Sequence, residues 1–241
     1  MRASKWRSAL IGDIQLINKL RLTPVTKPSH VRDEVDMDND LTRTFPTESW
    51  FLDHLDDIRT ILMVYADTTP TIGYAQGMCF IVFVLYYVYY NDCPEHVIND
   101  CIFSLHGIMG KIAPLYPRND EDVDICRWLE SVSSTVRLKL LYRHPALAVR
   151  LRNTMFIKLM IIKTGPAMFA NWFPLQDVLL IWDYILKPSM FENFVNIFCA
   201  LMMHNRDIYM YFDTEKILQL TSVKSFYRVS SVVSLAHSLK H

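Results

Sequence analysis

Apolar residues recur along this chain at alternating intervals of three and four, the spacing of helices that bury one face. Trp6, Leu10, Ile14, Ile17 and Leu20 share such a face and predict a helix over 4–20. Pro24 and Pro28 then open a polar connection to about Val35, and a short segment from Met37 to Arg43 leads into Thr44-Phe45-Pro46. Thr47 is suited to cap a helix whose face is Phe51, Leu55, Ile58, Leu62 and Tyr65, ended by Asp67-Thr68-Thr69-Pro70. From Met78 to Tyr90 the chain is apolar without interruption, which predicts a central buried helix stopping near Asn91-Asp92-Cys93-Pro94. Helices are expected over 95–109 and 122–142, the latter with Cys126, Leu129, Ser133, Val136 and Leu140 on one face, and Ala113 to Pro117 reads as loop. Pro145 suits a helical first turn, so a further helix is expected over 146–163. A buried helix follows over 175–186, and two or three more cover about 190–240. No stretch alternates at period two long enough to make a strand. The pattern specifies an all-α chain, a single large helical domain over 1–241 that could be built as two helical lobes.

Composition narrows the function classes. Six glycines in 241 residues, with 51% hydrophobic and 12% aromatic content, suit a helical core better than a sandwich or barrel. Lys plus Arg and Asp plus Glu are 25 each, which argues against a nucleic-acid binder with its basic excess. The five cysteines, Cys79, Cys93, Cys101, Cys126 and Cys199, are odd in number and lack C-x-x-C spacing, and are expected to be buried free thiols in a reducing compartment. The histidines form no H-E-x-x-H motif and no cluster with cysteine, so no metal is assigned. Met1 to Trp6 is too polar for a signal peptide, and the run from Met78 to Tyr90 is short of the about 20 apolar residues that cross a bilayer. A soluble, cytoplasmic protein with no transmembrane segment is expected.

The candidate chemistry lies around Ile72-Gly73-Tyr74-Ala75-Gln76-Gly77-Met78. Two glycines bracket Gln76 just ahead of the buried helix, which would hold the glutamine outward from a rigid base. Upstream, Asp40 and Arg43 stand three apart on one helical face, where the carboxylate could hold the guanidinium. Either feature alone is ordinary, a turn or a surface ion pair. Together, Arg2-x-x-x-Trp6-x-x-x-Leu10-x-Gly12, Met37-x-x-Asp40-x-x-Arg43-Thr44-x-Pro46, Ile61-Leu62-x-x-Tyr65-Ala66 and Pro70-x-Ile72-Gly73-Tyr74-x-Gln76-Gly77-Met78 make an ordered series. That series resembles the TBC domain, the Rab GTPase-activating fold. Val178-Leu179-x-Ile181-Trp182-Asp183 is similar to a later helix of the same family, so the resemblance runs from Arg2 to about Phe212. Met37 stands where the family motif has isoleucine, a swap of similar volume, and the Gly-Ile-Pro that often precedes the first element is missing.

The resemblance implies a protein that stimulates hydrolysis of GTP by a Rab-family small GTPase. Arg43 matches the family's arginine finger and Gln76 its glutamine finger; Asp40 would hold Arg43, and Tyr74 and Gly77 would shape the turn that carries Gln76. On this reading the chain is not itself an enzyme and takes no cofactor. The sequence has no G-x-x-x-x-G-K-[ST] loop, and Gly107-Ile-Met-Gly110-Lys111 has the wrong spacing and reads as a helix-to-loop turn, so GTP and Mg²⁺ are expected on the partner. A role in vesicle trafficking, with peripheral membrane association through that partner, follows from the same resemblance. The alternative is a catalytically silent helical module that binds a Rab as a scaffold. Trp182, Asp183 and the aromatics from Phe80 to Tyr90 read as packing residues. Arg137, Lys139, Arg143, Arg150 and Arg152 read as a solvated face or a contact for an acidic GTPase or lipid surface.

Overall fold

Gly12 and Asp13 divide what the apolar spacing joins. In the computed structural model, which describes residues 2–44, 49–112, 123–152, 155–213, 216–217 and 227–239, the first helix α1 spans Arg2–Leu10 and α2 spans Ile14–Arg21. Gly12 takes a φ of +137°, and the Asp13 carboxylate accepts the Leu16 amide at 2.8 Å, so a new helix begins with its own cap. The expected continuous face is thereby broken: Trp6, Leu10 and Ile17 are buried, but Ile14 is 64% exposed.

The same happens before the next long helix. α3 covers Glu34–Arg43, α4 only Ser49–Leu52, and α5 Leu55–Thr68, where one helix was expected through Phe51 and Leu55. The turn at Asp53-His54 sets the Trp50 and His54 rings 4.5 Å apart and brings His54 onto Tyr90, also at 4.5 Å. Phe45, Pro46 and the cap expected at Thr47 lie outside the described residues. α6, Met78–Tyr90, is buried around most of its circumference and packs against α5 and the helix that follows it, as its unbroken apolar run requires. A 3₁₀ turn at Pro94–His96 leads into α7, Val97–Ile112. Gly107 and Gly110 therefore lie inside a helix and not at a helix-to-loop turn. A Cβ on Gly107 would stand 2.2 Å from the Leu10 carbonyl oxygen, so this glycine lets α1 approach the backbone of α7.

The elements form two compact units. The first contains Met1–Glu121 with Pro166–Asn171, the second Asp122–Gly165 with Trp172–His241. In the second, α8 covers Val123–Arg143, α9 Pro145–Arg150, α10 Met155–Thr164, α11 Leu175–Ile185, α12 Met190–His204, α13 Arg206–Tyr211 and α14 Val229–Ser238. Pro145 occupies the first turn of α9 as expected, but 146–163 is not one helix. The amides of Leu151 and Arg152 turn back to Leu147 and Val149 and close α9. The loop expected at Ala113 to Pro117 lies outside the described residues. α12 is buried from Asn193 through Met202 and packs against α8, α11 and α14. Trp182 is fully buried in α11. Of the cysteines, Cys79, Cys101 and Cys199 are buried and Cys93 is half-buried, whereas Cys126 is exposed. All five are free thiols. No strand occurs among the described residues, and none of their helices is long and apolar enough to cross a membrane.

Candidate functional site

α3 carries charge on most of its surface and buries only Met37 and Leu41, so packing alone fixes it weakly. Arg59 of α5 supplies what packing does not. Its guanidinium donates to both oxygens of Asp38, at 2.7 and 3.1 Å, and also to Glu34. Such forked, charge-assisted bonds fix direction as well as distance. They hold the Glu34 carboxyl below its ordinary range, Arg59 first and His30 second. At its C-terminal end α3 passes into Thr44, which is buried and extended. The Thr44 hydroxyl donates to the Asp40 carbonyl at 2.7 Å and lies 3.0 Å from Cys79 Sγ at the start of α6.

The second segment of the site is the connection from α5 to α6. Thr69 closes the end of α5 by accepting the amides of Ile72 and Gly73 at 3.0 and 2.8 Å. Gly73 and Gly77 both adopt left-handed backbone, with φ of +66° and +102°, a region that costs a side chain energy. A Cβ on Gly77 would also press on Pro166 at 3.3 Å. Between the two glycines Tyr74 is buried, its phenol donates to Asp40 Oδ2 at 2.7 Å, and its amide donates to Asp33 Oδ2 at 3.1 Å. Burial, with Cys79 and the Asp40 carboxylate nearby, drives the Tyr74 pKa upward, so the phenol stays a neutral donor. Burial also raises the Cys79 thiol, which removes it as a nucleophile at neutral pH.

The structure thus brings Asp40 and Tyr74 into direct contact and puts Gly77 at the first turn of α6. Arg43 and Gln76 are exposed, and neither has a hydrogen-bond or ion-pair partner among the described residues. The pairing expected between Asp40 and Arg43 is replaced by the bond from Tyr74, because a buried phenol requires an acceptor. Neighbours of the two exposed side chains are stitched together: Asp40 and Thr44 flank Arg43, and they bond to Tyr74 and Cys79, which flank Gln76.

Sequence reasoning did not find Asp33 or Arg59 and gave Thr44 no role beyond its place in the motif; their partners lie 21 to 41 residues away. Nor did it single out Pro166–Asn171, a stretch of the same unit that is buried from Ala167 through Ala170 and in which Met168 and Phe169 take positive φ. The structure also brings ligand atoms of Cys93, Glu95 and His96 within 4.8 Å of one another, where the sequence suggested no grouping. In the second unit, part of the basic region is structural. Lys139 pairs with Glu192, and Arg143 and Arg150 donate to the carbonyls of Ser238 and Phe212.

The family model for the Rab-GTPase-TBC domain matches residues 15–210. The chain belongs to that family. Among its relatives, human TBC1 domain family member 13 is 28% identical over 170 residues, 64% of this chain and 40% of that protein. Growth hormone-regulated TBC protein 1 of Rattus norvegicus is 27% identical over 156 residues, 62% of this chain and 50% of that protein. The chain therefore matches about half, or less, of the length of these relatives. Its fold is similar to that of the Chlamydomonas flagellar RabGAP TBC domain, with a TM-score of 0.74 at 16% identity over 98% of this chain and 79% of the other. The Ypt/Rab-GAP domain of Gyp1p matches with a TM-score of 0.67 at 14% identity over 99% and 78%. The all-α expectation and the TBC resemblance both hold.

Proposed function

We propose that this TBC domain accelerates GTP hydrolysis by a Rab-type small GTPase, entering the partner's active site with Arg43 and Gln76. The observation that supports this reading most is the contrast between two exposed side chains without a partner among the described residues and the bonded residues on either side of them. A group that must act on another molecule has to be free at its tip and fixed at its base.

The chemistry suits those residue types. Negative charge spreads over the phosphoryl oxygens in the transition state, and a guanidinium supplied in trans is worth about 10³–10⁵ in rate, or about 4–7 kcal/mol of barrier. The planar fork of arginine donates to two oxygens at once and does not lose its charge. The Gln76 amide both donates and accepts, so it can orient the attacking water in place of the GTPase's own switch glutamine. GTP and Mg²⁺ belong to the partner on this reading, and the chain reaches an endomembrane surface through that partner.

Single-turnover phosphate release from a panel of GTP-loaded Rab proteins tests the proposal. With a responsive Rab, Arg43→Ala is expected to lower the stimulated rate by at least ~10³, Arg43→Lys to restore little, and Gln76→Ala to be severely impaired. The double variant should lose less than the product of the single losses, because the two residues act as one unit. Changing the partner's switch glutamine to alanine should leave much of the stimulation. A folded Arg43→Ala protein that stimulates near-fully would remove Arg43 from the site. A wild type that binds a Rab without accelerating it would leave the scaffold alternative.

A further inference from the structure

We infer that Asp33, backed by Arg32, is the positioning residue of the loop that carries Gln76; the inference rests on the proposed function. Asp33 occupies the N-cap position of α3, where an aspartate ordinarily accepts an amide of its own helix. It makes no such bond. Its Oδ2 instead takes the Tyr74 amide at 3.1 Å, across 41 residues of chain. Arg32 also holds the carboxylate, with Nε on Oδ1 at 3.0 Å and Nη2 on Oδ2 at 3.3 Å.

The loop is shaped to receive this clamp. A Cβ on Gly73 would stand 2.4 Å from Asp33 Oδ2 and 3.1 Å from Arg32 Nη2, so the carboxylate can lie against the loop backbone only because residue 73 is glycine. Tyr74 is then gripped twice by α3, at its amide by Asp33 and at its phenol by Asp40. Either bond alone leaves the residue free to pivot about it. The two together fix the backbone two residues before Gln76.

The surroundings separate positioning from mere support. Asp33 and Arg32 line an open cleft of about 340 Å³ with His30, Val31, Asp67 and Pro70. Truncating Asp33 therefore deletes a polar link without hollowing a packed core. A displacement of about 1 Å in a group that must meet a reacting centre costs on the order of 10²-fold in rate, while the remaining surface available to a GTPase is untouched.

The test combines kinetics with an activity-independent readout on the full chain. Asp33→Ala is expected to lower kcat of the stimulated reaction about 10- to 100-fold with KM for the GTP-loaded Rab little changed. Asp33→Asn keeps an acceptor oxygen and should recover most of the rate. Asp33→Ala added to Gln76→Ala should cost nothing further, because the clamp acts through Gln76. Amide hydrogen exchange at Tyr74 should speed up in Asp33→Ala and stay near wild type in Asp33→Asn. Unchanged Tyr74 exchange in folded Asp33→Ala would overturn the clamp whatever the kinetics. So would a loss that multiplies with that of Gln76→Ala, or a matching rise in KM that accounts for the whole defect. If Asp33→Ala does not fold, the exposed Arg32→Ala carries the same readouts, and unaltered kcat together with unaltered Tyr74 exchange there would overturn the clamp. If no Rab responds to the wild type, the function fails and the exchange measurement alone judges the clamp.

Discussion

In the first unit charged groups make many of the long-range side-chain links, beside neutral ones such as Thr44 with Cys79 and Tyr89 with Ser104. Arg7 and Arg21 converge on Asp100, Arg59 bridges Asp38 and Glu34, and the carboxylates of Asp33 and Asp40 hold Tyr74. In the second unit the buried links are neutral. The Tyr184 hydroxyl donates to the Ala236 carbonyl and accepts from Asn196, and the hydroxyls of Tyr209 and Tyr227 meet at 2.9 Å. Ion pairs of this unit such as Lys139 with Glu192, Lys158 with Glu130 and Arg206 with Asp207 lie toward solvent. The difference follows from how much apolar surface each element offers. α12 is buried along most of its length and needs little else, whereas α2 buries only Ile17, and α3 only Met37 and Leu41. Where packing is thin, directional bonds to charged groups set the pose, and α3 is the element that presents Arg43.

The contrast breaks most decisively at Asp100. Its side chain is 1% exposed and receives Arg7 at 2.6 Å and Arg21 at 2.9 and 2.7 Å, while Arg7 also reaches Asp92 at 2.6 Å and lies over the Tyr89 ring. Arg7 Nη2 is already buried without a hydrogen-bond partner among the described residues. Asp100→Asn removes the shared counter-charge and leaves two guanidinium groups undercompensated, a class of change that costs about 3–5 kcal/mol. Chemical denaturation should show that loss, and amide exchange should place the lost protection in α1, α2 and α7. A cost below about 1 kcal/mol, the range of a solvated surface pair, would erase the distinction between the units.

That cluster also marks where sequence reading stops. Helices α5, α6, α7, α8 and α11 were legible because an apolar face or an unbroken apolar run persists over several turns. The breaks at Gly12-Asp13 and Asp53-His54 were not, since Ile14 and Leu55 stay in phase with the preceding face while local turn chemistry restarts the helix. At the candidate site, motif spacing identified Asp40, Arg43, Tyr74, Gln76 and Gly77. The bonds that orient them were hidden, because Asp33 lies in a polar connection without a distinguishing pattern and Asp40 reads as a neighbour for Arg43. Their actual partner, Tyr74, is 41 and 34 residues away. Gly107 shows the same limit from the other side: a glycine near the end of an apolar pattern suggests a turn, and only the approach of Leu10 explains it.

Gly107 gives the next test. If the joint between α1 and α7 depends on backbone contact as well as on the Asp100 cluster, Gly107→Ala should destabilise by about 1–3 kcal/mol, the range of an overpacked contact. A new methyl 2.2 Å from a backbone oxygen cannot be relieved by a side-chain rotation. Gly110 lies three residues on in the same helix with nothing within 4 Å of an added Cβ. Gly110→Ala should therefore stabilise, by about 0.5–1 kcal/mol, through the lower entropy of the unfolded chain. Opposite shifts in denaturation midpoint separate helix propensity from close approach. Equal gains in both variants would show that α1 does not need the glycine.

Tyr184→Phe sharpens the comparison from the neutral side. The ring is buried and packs edge-on to His237 at 4.6 Å, so phenylalanine preserves shape and removes only the hydroxyl. Two bonds go with it, to Ala236 at 2.8 Å and from Asn196 at 3.1 Å. The Ala236 carbonyl still accepts the Leu239 amide at 3.2 Å, so it is not left empty. Asn196 fares worse, because its Oδ1 is already without a partner among the described residues and its amide nitrogen would lose Tyr184 as well. One newly orphaned neutral donor costs about 1–3 kcal/mol, below the middle of the about 3–5 kcal/mol range expected at Asp100. The loss should appear in exchange protection of α11, α12 and α14 and leave α3 and the Tyr74 amide unchanged. If Tyr184→Phe costs as much as Asp100→Asn, neutral bonds carry as much of this fold as charged ones, and the difference between the units is one of composition alone.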